Sequence, residues 1–247
     1  MKIPFLFTYI IPFTHSHERI TNLKRTIEWL SGFSNVEIIV VEQSKSPMLH
    51  TFSMRGFKHI FTQTDMPFNI GWAYNIGIKN STSDVIVFGD WKTKMNPDDM
   101  IRSLNQLQNN QVVICNSKTV TLHPHEFDND FQKLGMLNRN NDKSHISQAI
   151  VAMRKDALER LSLWPEDFFE GDHVYQLQDI KIKQLTSYQE MPFTAFRYIE
   201  SEMNISQINE SRNNMLIENY KKMDNSNFER SIASTRSKIG LKMRFTA

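Results

Sequence analysis

An alternation near the start of this chain constrains its fold more than any other feature. A continuous apolar run over residues 5–11 stops at Pro12. Ile20, Leu23, Ile27 and Leu30 then recur at spacings of three and four, before a second short, β-branched run over 36–41. Short apolar runs bounded by turn residues read as buried strands, and the three-and-four spacing reads as one face of a helix. Ser16 is placed to cap that helix, Glu18 sits in its first turn, and Gly32 stands just beyond its last periodic position. Strand, helix and strand in this order form a βαβ unit, whose parallel strands need cover on both faces.

The alternation continues. Strands are expected over 59–62, 85–88, 112–115 and 150–153, with helices over 72–79, from Pro97 through Ile101, Leu104 and Leu107, and over 155–161. Residues 118–147 are polar, rich in asparagine (Asn129, Asn138, Asn140, Asn141) and without sustained period, so a long loop is expected there. A further helical region follows about residue 206. The pattern predicts an α/β fold with a mostly parallel sheet flanked by helices. The length of 247 residues suits one such domain, placed over 1–210, with a basic helical extension over 211–247.

Composition narrows the classes. Hydrophobic residues make up 40% and charged residues 23%, which excludes a disordered or fibrous chain. No apolar run approaches the roughly 20 residues that span a bilayer, and the opening run lacks a small-residue cleavage site, so a cytoplasmic protein is expected. Cys115 is the single cysteine and sits in an apolar run, with no partner for a disulfide or a zinc site. His15, His17, His123, His125 and His145 show no metal-ligand spacing. The formal net charge of +2 gives no whole-molecule signature of nucleic-acid binding. Past Tyr220, however, Lys221, Lys222, Arg230, Arg236, Lys238, Lys242 and Arg244 face only Asp224 and Glu229. That tail suits a solvated helix face, or contact with an anionic acceptor or a membrane periphery.

Open parallel sheets bind ligands at the carboxyl ends of their strands, where this chain places Thr14, Glu42, Gln43, Asp90 and Lys92. Any one of these alone is more often a turn or cap residue. In combination they carry a resemblance. Ile10-Ile11-Pro12-Phe13 with Glu18-Arg19 and Asn22-Leu23, the strand end Val40-Val41-Glu42-Gln43-Ser44, the segment from Phe68 to Gly77, and Val85-Ile86-Val87-Phe88-Gly89-Asp90 resemble the family 2 glycosyltransferases of the GT-A fold, galactosyltransferase-like members included. Met153-Arg154-Lys155-Asp156-Ala157-Leu158 and Trp164-Pro165-Glu166-Asp167-Phe168 look like the stretch that leads to their acidic catalytic loop. The match is collinear over about two-thirds of the chain, and specific only in combination.

The resemblance implies transfer of a hexose from a nucleotide sugar, a UDP-sugar foremost, to an acceptor hydroxyl with inversion. It implies that Pro12, Thr14, Arg19, Glu42 and Gln43 surround the nucleoside; the alternative for Glu42 is that it caps the next turn. Asn69 and Asn75, with their neighbouring glycines, are implied near the sugar diphosphate. Asp90, Trp91 and Lys92 occupy the place of the family's Asp-x-Asp motif, which holds Mn²⁺ or Mg²⁺ through two carboxylates. Lys92 departs from that motif. The site is then a weakened metal site built on Asp90, or a metal-independent one in which Lys92 meets the departing phosphate, or an inactive one with Lys92 in solvent. The catalytic loop is also shorter than the family's. Asp172 aligns best with the general base, Glu170 is placed to bind a sugar hydroxyl, and the exchange of those roles stays open. A glycan or lipid-linked glycan is the implied acceptor. The alternatives are modified DNA bases, as for phage-type glucosyltransferases, and a non-catalytic sugar- or nucleotide-binding module.

Overall fold

In the computed structural model, which describes residues 6–14, 16–49, 55–137, 142–143, 149–169, 172–199 and 207–222, the first apolar run becomes β1 (Phe7–Phe13), buried along its whole length. Helix α1 (His17–Leu30) follows, capped by the Ser16 side chain, which accepts from the Arg19 amide. Next come β2 (Val36–Ser44), β3 (Lys58–Gln63), α2 (Ile70–Asn80), β4 (Val85–Phe88), β5 (Thr93–Met95), α3 (Pro97–Asn105) and β6 (Val112–Ile114). The chain continues through β7 (Lys118–Leu122), α4 (Phe131–Gly135), β8 (Asp142–Lys143), β9 (Val151–Arg154) and α5 (Lys155–Arg160). It ends its described course with α6 (His173–Leu185), β10 (Tyr188–Glu190), β11 (Thr194–Tyr198) and α7 (Gln207–Lys221).

Seven strands form the main sheet in the order β10-β6-β9-β4-β1-β2-β3. β1 runs parallel to β2 and β4, β2 to β3, and β10 to β6, while β9 runs antiparallel to both of its neighbours. The mostly parallel sheet expected from the alternation is therefore present. One face is covered by Leu23, Ile27 and Leu30 of α1 with Met100 and Leu104 of α3. The other is covered by Tyr74 and Ile76 of α2, Leu158 of α5, Leu177 of α6, and Ile217 and Tyr220 of α7. Cys115 lies in the first of these cores, where burial pushes its thiol up to about 12, so it packs as a small hydrophobe.

The stretch expected as one long loop, 118–147, is a correction. It contains β7, α4 and β8, and β7 and β8 join β5 and β11 in a second sheet of order β5-β11-β7-β8. In Lys118-Thr119-Val120-Thr121-Leu122 the apolar residues alternate with β-branched threonines, a half-buried strand pattern whose polar half hides it in an average over the window. Val120 and Leu122 pack with Leu134, Phe196 and Tyr198 into a small core of their own.

Candidate functional site

Three strand ends converge on the same rim of the main sheet: β1 at Phe13, β2 at Ser44 and β4 at Phe88. Beyond β4 the chain turns through Gly89, Asp90, Trp91 and Lys92. Asp90 Oδ1 accepts from the Lys92 amide at 3.0 Å, which closes an Asx turn. Trp91 is buried edge-on against Phe13, at 6.1 Å between ring centroids, and against Phe68 at 6.2 Å. Over that ring stand two cations, the Arg19 guanidinium 4.9 Å and Lys92 Nζ 5.4 Å from its centroid. Arg19 also donates to the Thr14 carbonyl at 3.4 Å, and Pro12 is buried in β1. Thr14, Arg19, Trp91 and Lys92 thus belong to one cluster with Asp90, and Pro12 directly precedes Phe13, which packs on Trp91.

Two buried tyrosines tie this turn to the segment carrying Asp172. Tyr74 Oη donates to the Gly89 carbonyl at 3.0 Å and lies 3.3 Å from Tyr175 Oη. Tyr175 stands in the first turn of α6, where its amide donates to the Asp172 carbonyl at 3.0 Å. Asp172 itself is exposed at the helix N-terminus, and its side chain makes no capping bond. Burial pushes the Tyr175 phenol up first. The charges of Asp90 and Asp172 push the same way, whereas the hydrogen bond with Tyr74 and the charge of Arg197 oppose it. The charges of Asp90, Asp172 and Arg197 are therefore all felt at one phenol.

Arg197 was not among the residues singled out from the sequence. It lies on β11 opposite Thr93 of β5, and the next amide, that of Tyr198, donates to the Lys92 carbonyl at 2.8 Å. The only signal for it was the alternation in Thr194-Ala195-Phe196-Arg197-Tyr198, too short to place without its sheet partners.

The other expected donor contacts form an internal bracket. The Glu42 carboxylate, fully buried, accepts from the Met48 and Leu49 amides and from His59 Nε2 at 2.8 Å. Burial alone would raise its pKa, but these hydrogen bonds outweigh it and hold the carboxyl below its ordinary range. Gln43 exchanges two hydrogen bonds with the Asn69 backbone, at 2.9 Å each. Asn69 caps α2 and donates to the Glu166 carbonyl. Asn75 grips Trp164 through both its amide and its carbonyl, at 2.9 Å each, and also donates to Glu166 Oε1. These side chains fix the 164–167 segment against α2.

From the other side α7 holds the same stretch. Arg212 donates to the Asp167 carbonyl at 2.6 Å, Asn213 to the Phe169 carbonyl at 2.9 Å, and Asn214 Oδ1 receives His173 Nε2 at 2.8 Å. Glu170, His15, His145 and the basic residues from Arg230 to Arg244 lie outside the described residues, as does the side chain of His17. His123 and His125 stack on each other at 5.9 Å away from this cluster of contacts. Among the described residues no set of three His, Cys, Asp or Glu gathers that could hold a metal ion. Asp90 offers one carboxylate, and Lys92, two positions on, presents a cation where a hard metal needs oxygen, so the described donor set does not fit a resident divalent ion.

No family model and no curated protein matches the sequence. Solved structures do match. S. aureus TarS 1–349 in complex with UDP-GlcNAc superposes with a TM-score of 0.59 at 13% identity, over 97% of this chain and 76% of that one. The mannosyltransferase PcManGT from Pyrobaculum calidifontis, in complex with GDP-Man and Mn²⁺, gives a TM-score of 0.50 at 12% identity over 97% and 76%. Against S. aureus TarS without that truncation the chain spans 44% of the length, at a TM-score of 0.56 and 13% identity. The architecture is that of the α/β glycosyltransferases. In particular, the chain has the GT-A type of fold, with a seven-stranded, mostly parallel sheet flanked by helices.

Proposed function

We propose that this chain is an inverting glycosyltransferase that moves a hexose from a nucleotide sugar, a UDP-sugar foremost, to an acceptor hydroxyl, with Asp172 as the general base. The observation that carries this reading is the hydroxyl bridge of Tyr74 and Tyr175, which couples the Gly89–Asp90 turn to the first turn of α6 behind Asp172. That bridge supports assigning the Asp90 turn to the donor and the exposed Asp172 carboxylate to the acceptor, near strand ends of the kind that bind ligands in open parallel sheets.

The chemistry is a direct displacement. The acceptor oxygen forms its bond to the anomeric carbon as its proton passes to the Asp172 carboxylate, and the bond from that carbon to the diphosphate oxygen breaks. The electron pair leaves with the nucleotide, whose developing charge meets the Lys92 ammonium over the Trp91 ring. Pro12, Thr14, Arg19, Glu42 and Gln43 are assigned to the nucleoside end, and Asn69 and Asn75 to the approach to the diphosphate. Glu42, Gln43, Asn69 and Asn75 act there through the backbone they order. Glu170 is assigned to a sugar hydroxyl, and a glycan or lipid-linked glycan to the acceptor position.

The test is nucleotide release from a panel of sugar nucleotides, with glycans and with hydroxymethylated DNA as acceptors, comparing the intact protein with Asp172→Asn. Acceptor-stimulated release that falls about 10²–10⁴-fold in the variant supports the transferase and its base. Binding without release from any donor moves the protein to a sugar-nucleotide-binding module.

A further inference from the structure

We propose that Arg197 and Lys92 together clamp the diphosphate of the nucleotide sugar, so that the donor is held by two side-chain cations. This rests on the glycosyltransferase reading above and adds a ligand, Arg197, that the reading did not contain.

The placement follows from strand register. β11 pairs antiparallel with β5, with Ala195 opposite Met95 and Arg197 opposite Thr93. Residues directly opposite in an antiparallel pair share a face, and alternate residues on a strand share it too. Ala195 and Met95 lie in the core beneath Trp91, whereas Phe196 lies in the separate core of the second sheet. Arg197 therefore points with Ala195 and Thr93 toward the Trp91 side. The Tyr198 amide donates to the Lys92 carbonyl, which sets Lys92 diagonal to Arg197 across the strands, and Lys92 Nζ lies over the Trp91 ring, on the side to which Arg197 points. Arg197 is half-buried, and among the described residues its guanidinium makes no hydrogen bond or ion pair. A half-buried guanidinium with five donors and no protein acceptor is suited to an anionic ligand with several oxygens.

Ligand chemistry supports the same assignment, since two cations match the two negative phosphates of a nucleoside diphosphate. A guanidinium binds phosphate bidentately, whereas an ammonium acts as a point charge, so Arg197 is the residue that fixes orientation. A nucleoside monophosphate reaches the nucleoside pocket without spanning both cations.

Calorimetric titration of the full chain with UDP, GDP, ADP and dTDP, and with each corresponding monophosphate, tests the clamp in EDTA and again with Mn²⁺. The expected result is that at least one diphosphate binds in EDTA and binds more tightly than its monophosphate. Arg197→Gln should then weaken that diphosphate about 10- to 100-fold and leave the monophosphate unchanged. Arg197→Lys keeps the charge but loses the fork, so it should recover part of the loss and serves as the readout where Arg197→Gln does not fold. Unchanged diphosphate affinity in both variants overturns the clamp and leaves the transferase reading intact, as does diphosphate binding that requires Mn²⁺. Failure of the intact protein to bind any of the eight nucleotides in either condition overturns the transferase reading as well.

Discussion

At the scale of single residues, the tyrosines around Gly89 differ in a way that energetics can separate. Tyr9 Oη is buried with no hydrogen-bond partner among the described residues, and a Cβ built on Gly89 would lie 1.8 Å from it and 2.3 Å from Cζ. Removing an unsatisfied buried hydroxyl costs little or stabilises, so Tyr9→Phe should leave the urea midpoint unchanged or higher. Tyr74→Phe removes the bond to the Gly89 carbonyl and should cost about 1 kcal/mol in the same measurement. Gly89→Ala should cost about 1–3 kcal/mol through overpacking. Pairing it with Tyr9→Phe should recover only part, because the ring carbons still block the methyl. Glu42 makes a pH-dependent contribution. Its folded pKa is depressed below the ordinary 4.5, so its stabilisation is fully present above about that pH and is lost as pH falls through the folded value. Glu42→Gln should therefore flatten the acid limb of stability against pH below about 4.5, and an unaltered limb would show that another carboxylate governs it.

At the scale of elements, the bracket between α2 and residues 164–167 explains why local patterns revealed part of the site and not all of it. Asp90 was legible as the residue that ends an apolar run, whereas Asp172 rested on the family resemblance alone, because helix α6 behind it does not stand out as a periodic segment. The partners of Asn69 and Asn75 were not legible, since Glu166 and Trp164 lie 97 and 89 residues away and nothing in a helical pattern names them. Gly71 belongs to the same contact: a Cβ there would fall 1.8 Å from the Pro165 carbonyl oxygen, so glycine is required by close backbone approach. Asn75→Ala strips three hydrogen bonds and leaves Trp164 backbone groups unpaired, and should cost about 2–3 kcal/mol in thermal or urea unfolding. On the opposite side, α7 holds residues 167–173 through Arg212, Asn213 and Asn214, so in the proposed mechanism Asn214 is a positioning residue for the loop that carries Asp172. Asn214→Ala should lower kcat about tenfold while leaving the affinity for nucleotide diphosphate unchanged, because the loop rather than the Asp90 turn loses its support. An equal fall in nucleotide affinity would show that the effect spreads through the fold instead.

At the scale of the whole molecule, the two sheets are unequal partners. The main sheet lies between two large cores, and its strands were readable as apolar runs because parallel strands are buried on both faces. The second sheet rests outward on a small core that includes Val120, Leu122, Leu134, Phe196 and Tyr198, and inward shares the main core through Met95 and Ala195. Its strands are short and half-polar, and their hydrogen-bond partners lie far away in sequence, so their pattern does not stand out from a loop. Elements with few buried contacts open at lower free energy than the core, so amides of β7 and β11 should exchange faster than those of β1 and β4. Ligand linkage makes this difference informative about the site. Nucleoside diphosphate at about a hundred times its Kd raises by about 2.7 kcal/mol the free energy of any opening that destroys its binding site. If β11 carries a diphosphate ligand, its amides should gain that protection, as should those of the first turn of α6, linked to the Gly89–Asp90 turn through Tyr175 and Tyr74. Amides of β3, at the far edge of the main sheet, should gain less. Equal protection everywhere would mean that the two sheets open as one unit, and no gain at β11 would place the diphosphate away from the second sheet.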